Sequence, residues 1–484
     1  MTLSSVLVRN LCIHPNKLLL GSKKNNIWKW HTKQNIYDTF VSCRKILKRQ
    51  NISKGDRIAF KGKNSLEWLS WNLATNSLGA VWVPMYEDQS HDYCRYIMDD
   101  CEPTLFLTND LNVDTKVPML DYHNIDMDTK EDVEFVDNSL CTLIYTSGTT
   151  GNPKGVMLSN ENILSNIQSI HNRFYDMPKH TCLNILPWAH IYSQTCELYY
   201  NVMVDNKIAI SSNRESFIKE CSEIQPSCLY LVPRVLDMIY QKLSIFDAPV
   251  IRVLMPLCLR YLFGFHLQYI FTGGAKLNQE TRDFFHTYGY VICEGYGCTE
   301  TSPIISVNHF KEPRNIDSIG KKLDNLQVEI VNGEIQVRGR SVMMGYWNNK
   351  DATEKVLTHR NGHTWYKTGD SGRIEDGYLF YNGRISDNYK LSNGKFVNVE
   401  HVEDVIKRFV SCSFIVFGEN KTYNEIISTQ PICNKTLDLI NKSLDSYLKI
   451  QTVHVIDESK MREFLTPKMS IKRKPLIEYI QKTS

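Results

Sequence analysis

Leu143-Ile-Tyr-Thr-Ser-Gly-Thr-Thr-Gly-Asn-Pro-Lys-Gly-Val156 is the stretch from which this chain can be read. An apolar run predicts a strand, a loop dense in glycine and hydroxyls follows, one lysine closes it, and apolar residues resume. Gly148 and Gly151 carry no Cβ, so their amides can approach an oxyanion closely. Hydroxyls of Thr146, Ser147, Thr149 and Thr150 add donors, and Lys154 adds positive charge. Such a loop is built to hold phosphate. It is not a Walker A loop, because Gly155 follows the lysine where that motif needs Ser or Thr to hold magnesium.

Outward from this loop the pattern is regular. Between about residues 37 and 305, polar helical stretches alternate with short β-branched runs such as 56–61, 79–84 and 104–108. That rhythm predicts parallel sheets with crossover helices. Beyond about residue 312 the runs 326–331, 333–338 and 378–382 are closely spaced and joined by Gly turns, which predicts an antiparallel β subdomain. The tail shows short strands (412–417, 452–456) between helical stretches (399–409, 434–448). The expected fold is α/β: a large N-terminal domain of αβ-layered sheets, residues 1–384, with its β subdomain at about 312–384. A small α+β domain, 385–484, follows, joined at about residues 384–388.

Composition narrows the function classes. The 484 residues include 42% hydrophobic and 23% charged residues, as in a folded globular protein of at least two domains. Lys plus Arg number 56 against 53 Asp plus Glu, too even a balance for a nucleic-acid binder. The 14 cysteines form no CxxC pair and no zinc-finger cluster, and are expected reduced and mostly packed. The first 17 residues do not read as a signal peptide, and no span of about 18 uncharged apolar residues occurs, so a cytoplasmic protein is expected, with peripheral membrane contact open. Residues 250–271 come nearest to a span but contain Arg252, Arg260 and His266; a core helix is favoured over an interfacial one.

Four further segments carry chemistry. In Thr272-Gly-Gly-Ala275 the lack of bulk at Gly273, Gly274 and Ala275 lets a planar base lie against the backbone. In Gly295-Tyr-Gly-Cys-Thr-Glu-Thr301, Tyr296 can stack on a base beside Gly297, Thr299 can bond phosphate, and Glu300 offers a hard oxygen suited to magnesium. Asp370, in Tyr366-Lys-Thr-Gly-Asp370, and Arg384 read in isolation as parts of ordinary turns, and it is the order of the motifs that favours Asp370 as an acceptor for two sugar hydroxyls. Gly383-Arg384 can donate to sugar or phosphate and leads to Lys390-Leu-Ser-Asn-Gly394.

These five motifs, in this order, resemble those of the adenylate-forming (AMP-binding) superfamily, over nearly the whole chain. Leu186-Pro-Trp-Ala-His-Ile-Tyr192, Val232-Pro-Arg234, Leu465-Thr-Pro467 and Lys472-Arg473 are most similar to long-chain fatty acyl-CoA synthetases. The resemblance implies a ligase of fatty acid metabolism that uses ATP, magnesium and CoA and forms acyl-AMP, then acyl-CoA. It implies catalytic roles for Lys154, Thr299 and Glu300, with Glu300 on the metal. It further implies ATP contacts from Thr146, Ser147, Gly148, Thr149, Thr150, Gly151, Gly274, Ala275, Tyr296, Gly297, Asp370 and Arg384. Gly273 and His190 fall on the substrate side, His190 either bordering the acyl entrance or packed structurally. Arg234 is either a gate near the acyl tunnel or a helix cap. The hinge falls at Ser386 and Asp387, with Lys390 and Gly394 toward CoA. One departure stands out: Ser470 occupies the position of the adenylation lysine, with Lys468 and Lys472 two residues to either side. Either of these substitutes, or the chain stops at acyl-AMP, passes the acyl group to another acceptor, or is a catalytically impaired lipid- and nucleotide-binding relative.

Overall fold

The computed structural model describes residues 1–110, 113, 115–146, 153–244, 249–465 and 471–483, without the side chains of 249–252. Its described residues divide into two compact units, one within 1–146, 153–327 and 337–366, the other within 328–336 and 367–484.

The first unit contains strands β1 Leu18–Lys24, β2 Ile27–Thr32, β3 Arg57–Lys61, β4 Val81–Met85, β5 Leu105–Thr108, β6 Met119–Leu120 and β7 Leu140–Thr146. They are followed by β8 Lys154–Ser159, β9 Thr181–Asn184, β10 Lys207–Ile210, β11 Cys228–Leu231, β12 Tyr269–Gly273, β13 Val291–Gly297 and β14 Ile304–Val307. One sheet runs Gly345–Tyr346, β8, β7, β4, β3, β5, β6. Its centre is parallel, and every residue of β4 is buried, as expected where helices cover both faces. A second sheet runs β14, β13, β12, β11, β9, β10, β1, β2, parallel from β13 to β1.

The main core draws side chains from both sheets. At its centre the helix Leu66–Ser77, capped by Ser65 on the Trp68 amide, buries every residue from Trp68 onward. Trp68 meets Trp82 and Trp188 edge-on at 5.3 and 5.6 Å. Nine of the 14 cysteines are buried, and burial holds thiols such as Cys141 protonated, pushed up to about 12.

In the second unit, the part of strand His363–Glu375 that follows Tyr366 pairs with Tyr378–Arg384, placing Asp370 opposite Arg384. Its later part is a three-stranded sheet (Phe414–Phe417, Asn424–Ser428, Ile450–Val455) with helices Val399–Lys407, Asn434–Lys442 and Arg473–Thr483.

Two expectations need correction. The helix expected over 434–448 stops at Lys442, where the Ser443 amide closes on the Leu439 and Ile440 carbonyls. The core helix expected over 250–271 is Pro249–Phe263, followed directly by β12, and it is core on one face only: Met255, Leu259 and Phe263 are buried, while Val253, Leu257 and Tyr261 are exposed.

Candidate active site

The β7–β8 hairpin sets Thr146 directly across from Lys154. Both residues are half-buried and bracket the glycine-hydroxyl loop. Ser147, Gly148, Thr149, Thr150 and Gly151 lie outside the described residues. Gly155 is where a third strand closes in: a Cβ there would lie 3.0 Å from the Tyr145 ring and 3.2 Å from Trp347. Its carbonyl accepts from the Trp347 amide at 2.7 Å. This pairing carries Tyr346 beside Lys154, whose Nζ stands 5.1 Å from the ring centroid.

The other side of Tyr346 leads to Glu300. The Tyr346 hydroxyl donates to Glu300 Oε1 at 2.7 Å, and the Met343 amide donates to the Glu300 carbonyl at 2.8 Å. Glu300 sits in the short 3-10 turn Thr299–Thr301 after β13, next to buried Thr299. Gly297 has no room for a side chain, since a Cβ would fall 1.8 Å from the Pro303 carbonyl oxygen. That contact pins the end of β13 and aims the following turn.

The ends of β12 and β13 lie side by side, Gly273 opposite Gly295. A Cβ on Gly273 would meet the Gly295 oxygen at 2.8 Å, whereas Gly274 needs glycine for its φ of +86°. Gly274 and Ala275 are exposed and Tyr296 is half-buried. Sequence reading missed Glu294, whose Oε1 accepts from the Leu277 amide at 3.1 Å and ties the Gly274 loop to β13. Burial pushes its carboxyl up to about 7.

Behind Thr272 and Gly295 lies a small apolar cavity of about 30 Å³, walled chiefly by Phe174, Tyr192, Tyr230 and Phe271. Tyr230 stacks on Phe271 with centroids 5.3 Å apart, and Phe174 meets Phe271 edge-on. His190 is not among the residues lining it; its Nδ1 accepts from the amide of Tyr192, which is. Arg234 is the second residue of the helix Pro233–Ser244. At that end it is not placed to hydrogen-bond the last carbonyls of its own helix.

In the second unit, Arg384 Nε stands 3.1 Å from Asp370 Oδ1, and Arg384 Nη1 donates to the Thr368 carbonyl at 2.7 Å. Asp370 is buried while Arg384 is exposed. Ser386 and Asp387 form the 3-10 turn Ile385–Asp387. Lys390 and Gly394 are exposed along the hairpin Tyr389–Lys390/Phe396–Val397, where Gly394 takes a φ of +79°. Lys472 is exposed just before the helix Arg473–Thr483, its amide donating to the Phe464 carbonyl at 2.7 Å. Lys468 and Ser470 lie outside the described residues. Arg473 is committed elsewhere, to Glu403 at 2.8 Å.

Among the described residues no group of three His, Cys, Asp or Glu could hold a metal ion. Magnesium held by one carboxylate together with nucleotide phosphates needs no such group, and Glu300, with one oxygen engaged by Tyr346, fits that requirement.

The family model described as AMP-binding enzyme matches residues 13–347. The chain belongs to this family. Relatives of this AMP-binding enzyme include the long-chain-fatty-acid–CoA ligase FadD15 of Mycobacterium bovis, 25% identical over 88% of this chain and 87% of that one. Another is long chain acyl-CoA synthetase 4 of Arabidopsis thaliana, 24% identical over 81% and 72%. Among solved structures, the o-succinylbenzoate CoA synthetase of Bacillus subtilis in complex with AMP shares the fold with a TM-score of 0.81 at 21% identity, covering 97% of each chain. ATP-bound MatB of Rhodopseudomonas palustris does so at 0.81 and 19%, covering 99% of each. The fold class expected from the strand rhythm is therefore shown, and so is the superfamily.

Proposed function

We propose that this AMP-binding enzyme activates a fatty acid, long-chain by its similarity to the curated ligases, and passes it to CoA. The observation that carries this reading is the grouping of Lys154 and Glu300 around Tyr346, which puts the cation of the first motif and the carboxylate of the third on one side chain. The substrate carboxylate attacks the α-phosphate of ATP; an acyl–phosphate bond forms and pyrophosphate leaves. The CoA sulfur then attacks the acyl carbon and AMP leaves with the bonding electrons. No protein nucleophile is required, so positioning and charge neutralisation supply the catalysis.

Lys154 and the Thr146 side of the loop neutralise phosphate, while Gly274, Ala275 and Tyr296 receive the base. Asp370 holds the ribose once Arg384 turns to sugar or phosphate. Magnesium, on Glu300, supplies charge stabilisation at the phosphates when bound. Ser386 and Asp387 serve as pivot, with the part of the chain from 385 onward presenting Lys390 and Gly394 to CoA in the second step.

The test is pyrophosphate release from ATP, magnesium and a fatty acid, followed by CoA-dependent formation of AMP and acyl-CoA. ADP and phosphate as products would remove the chain from this reaction. Ser470 motivates a second reading, an adenylation step slowed by roughly 10² to 10³ for want of one cation. On that reading Ser470→Lys raises ATP–pyrophosphate exchange. If Lys468 or Lys472 already substitutes, alanine at one of them lowers exchange and spares the use of preformed acyl-AMP.

A further inference from the structure

The crossover from β11 to β12 runs through the helices Pro233–Ser244 and Pro249–Phe263. The second of these carries apolar residues on both its buried and its exposed side, with Arg252 and Arg260 as its only charged residues. Met255, Leu259 and Phe263, spaced by four, sit in a core cluster with Leu236, Phe285 and Tyr290. On the opposite side Val253 is 79% exposed, Leu254 50%, Leu257 59% and Tyr261 75%, and Phe265 just beyond the helix is 58% exposed. Met238 of the preceding helix is 50% exposed as well. A helix apolar all round is the pattern of a buried one, and a contiguous apolar surface of this kind marks a contact with something else.

Charge indicates what that something is. From residue 248 to residue 279 the sequence contains Arg252, Arg260, Lys276 and His266 and not one Asp or Glu. Arg260 and His266 are exposed next to Tyr261 and Phe265, the mixture of aromatic and cationic groups that favours the boundary between lipid headgroups and acyl chains. Fifteen residues of helix, about 22 Å, fall short of the roughly 30 Å hydrocarbon core, and no helix among the described residues is long and apolar enough to cross a membrane. The helix therefore suits lying on a bilayer. Its placement matters too, because the strands it joins, β11 and β12, supply Tyr230 and Phe271 to the wall of the apolar cavity.

We propose that Val253, Leu254, Leu257, Tyr261 and Phe265 dock the protein on an anionic lipid surface, with Arg260 at the headgroups. Such docking would hold the cavity wall close to a reservoir of amphiphilic carboxylic acids.

Sedimentation of the full chain with phosphatidylcholine vesicles, with and without phosphatidylglycerol, tests this in the absence of ATP and CoA, so the outcome is separable from the adenylation reading. The protein should pellet with the mixed vesicles and be released at high salt. Leu257→Glu combined with Tyr261→Glu should lower the bound fraction by roughly tenfold or more at unchanged melting temperature. Arg260→Glu should lower affinity by about fivefold or more. Wild-type protein remaining in the supernatant, or a double variant that pellets like wild type, overturns the proposal. So does a concentration-dependent dimer in light scattering that the double variant dissolves, with no vesicle binding, since the face would then belong to a second copy of this chain.

Discussion

The Tyr346 hydroxyl holds Glu300 Oε1 at 2.7 Å while the face of the same ring lies 5.1 Å from Lys154 Nζ. One side chain thus sets the spacing between an anion that can take a metal and a cation that can take a phosphate. Neither charge is spent on the other.

Tyr346→Phe keeps the ring under Lys154 and removes only the donor to Glu300. Turnover in pyrophosphate release should fall about tenfold, the value of one hydrogen bond to a charged group, with a raised magnesium requirement. Glu300→Gln should cost roughly 10² to 10³ in turnover with little loss of stability. Parallel losses of melting temperature and activity in both variants would instead assign the pair to the core.

At Gly297 the added methyl would fall 1.8 Å from backbone oxygen, which no rotamer can relieve. Gly297→Ala should lower unfolding free energy by about 3 kcal/mol or more and abolish activity. Gly274→Ala meets open space and only a left-handed φ, and should cost about 1 kcal/mol. Urea unfolding of the two variants distinguishes them; similar midpoints would contradict the close approach at Gly297.

Glu197 lies fully buried, its Oε2 accepting from Asn184 Nδ2 at 2.6 Å and Ser193 Oγ at 2.7 Å, and burial pushes its carboxyl from the ordinary 4.5 up to about 8. Between those values the native chain retains a proton that the unfolded chain has lost, so stability falls as pH rises. Buried His180, held down to about 4 by desolvation, acts in the opposite sense, but only below its ordinary 6.5. Buried Glu294, raised to about 7, acts in the same sense as Glu197 below that value, so the clean window is pH 7 to 8, with a Glu197 slope of about 1.4 kcal/mol per pH unit. Glu197→Gln should flatten that part of the curve, as read by denaturant unfolding at several pH values; parallel curves for the two proteins would refute the assignment.

The stacked pair Tyr230 and Phe271 lines the apolar cavity together with Thr272. Tyr230→Val should raise kcat/KM for longer acyl chains relative to shorter ones by roughly tenfold, since pocket discrimination per methylene is of that order. An unchanged chain-length profile would place the acyl site elsewhere.

What the sequence determined by itself was local. The β-branched runs at β3, β4 and β5, the glycine-hydroxyl loop after β7, and the glycines at the ends of β12 and β13 were legible because strand, turn and phosphate chemistry are written within a few consecutive residues. Lys154 and Glu300 could be named from their motifs, but Tyr346 could not. It comes 46 residues after Glu300 and reaches it only because Gly345–Tyr346 adds to the edge of β8. Glu197 and Glu294 gave no signal either: a carboxylate in an apolar stretch has the same sequence whether it faces water or a core, and only packing decides its proton. The helix Pro249–Phe263 shows the limit most plainly. With only Arg252 and Arg260 among its apolar residues it has no continuous polar face to indicate which way it turns, so the choice of Met255, Leu259 and Phe263 for the core, and of Val253, Leu257 and Tyr261 for the outside, was made by the neighbours it packs against.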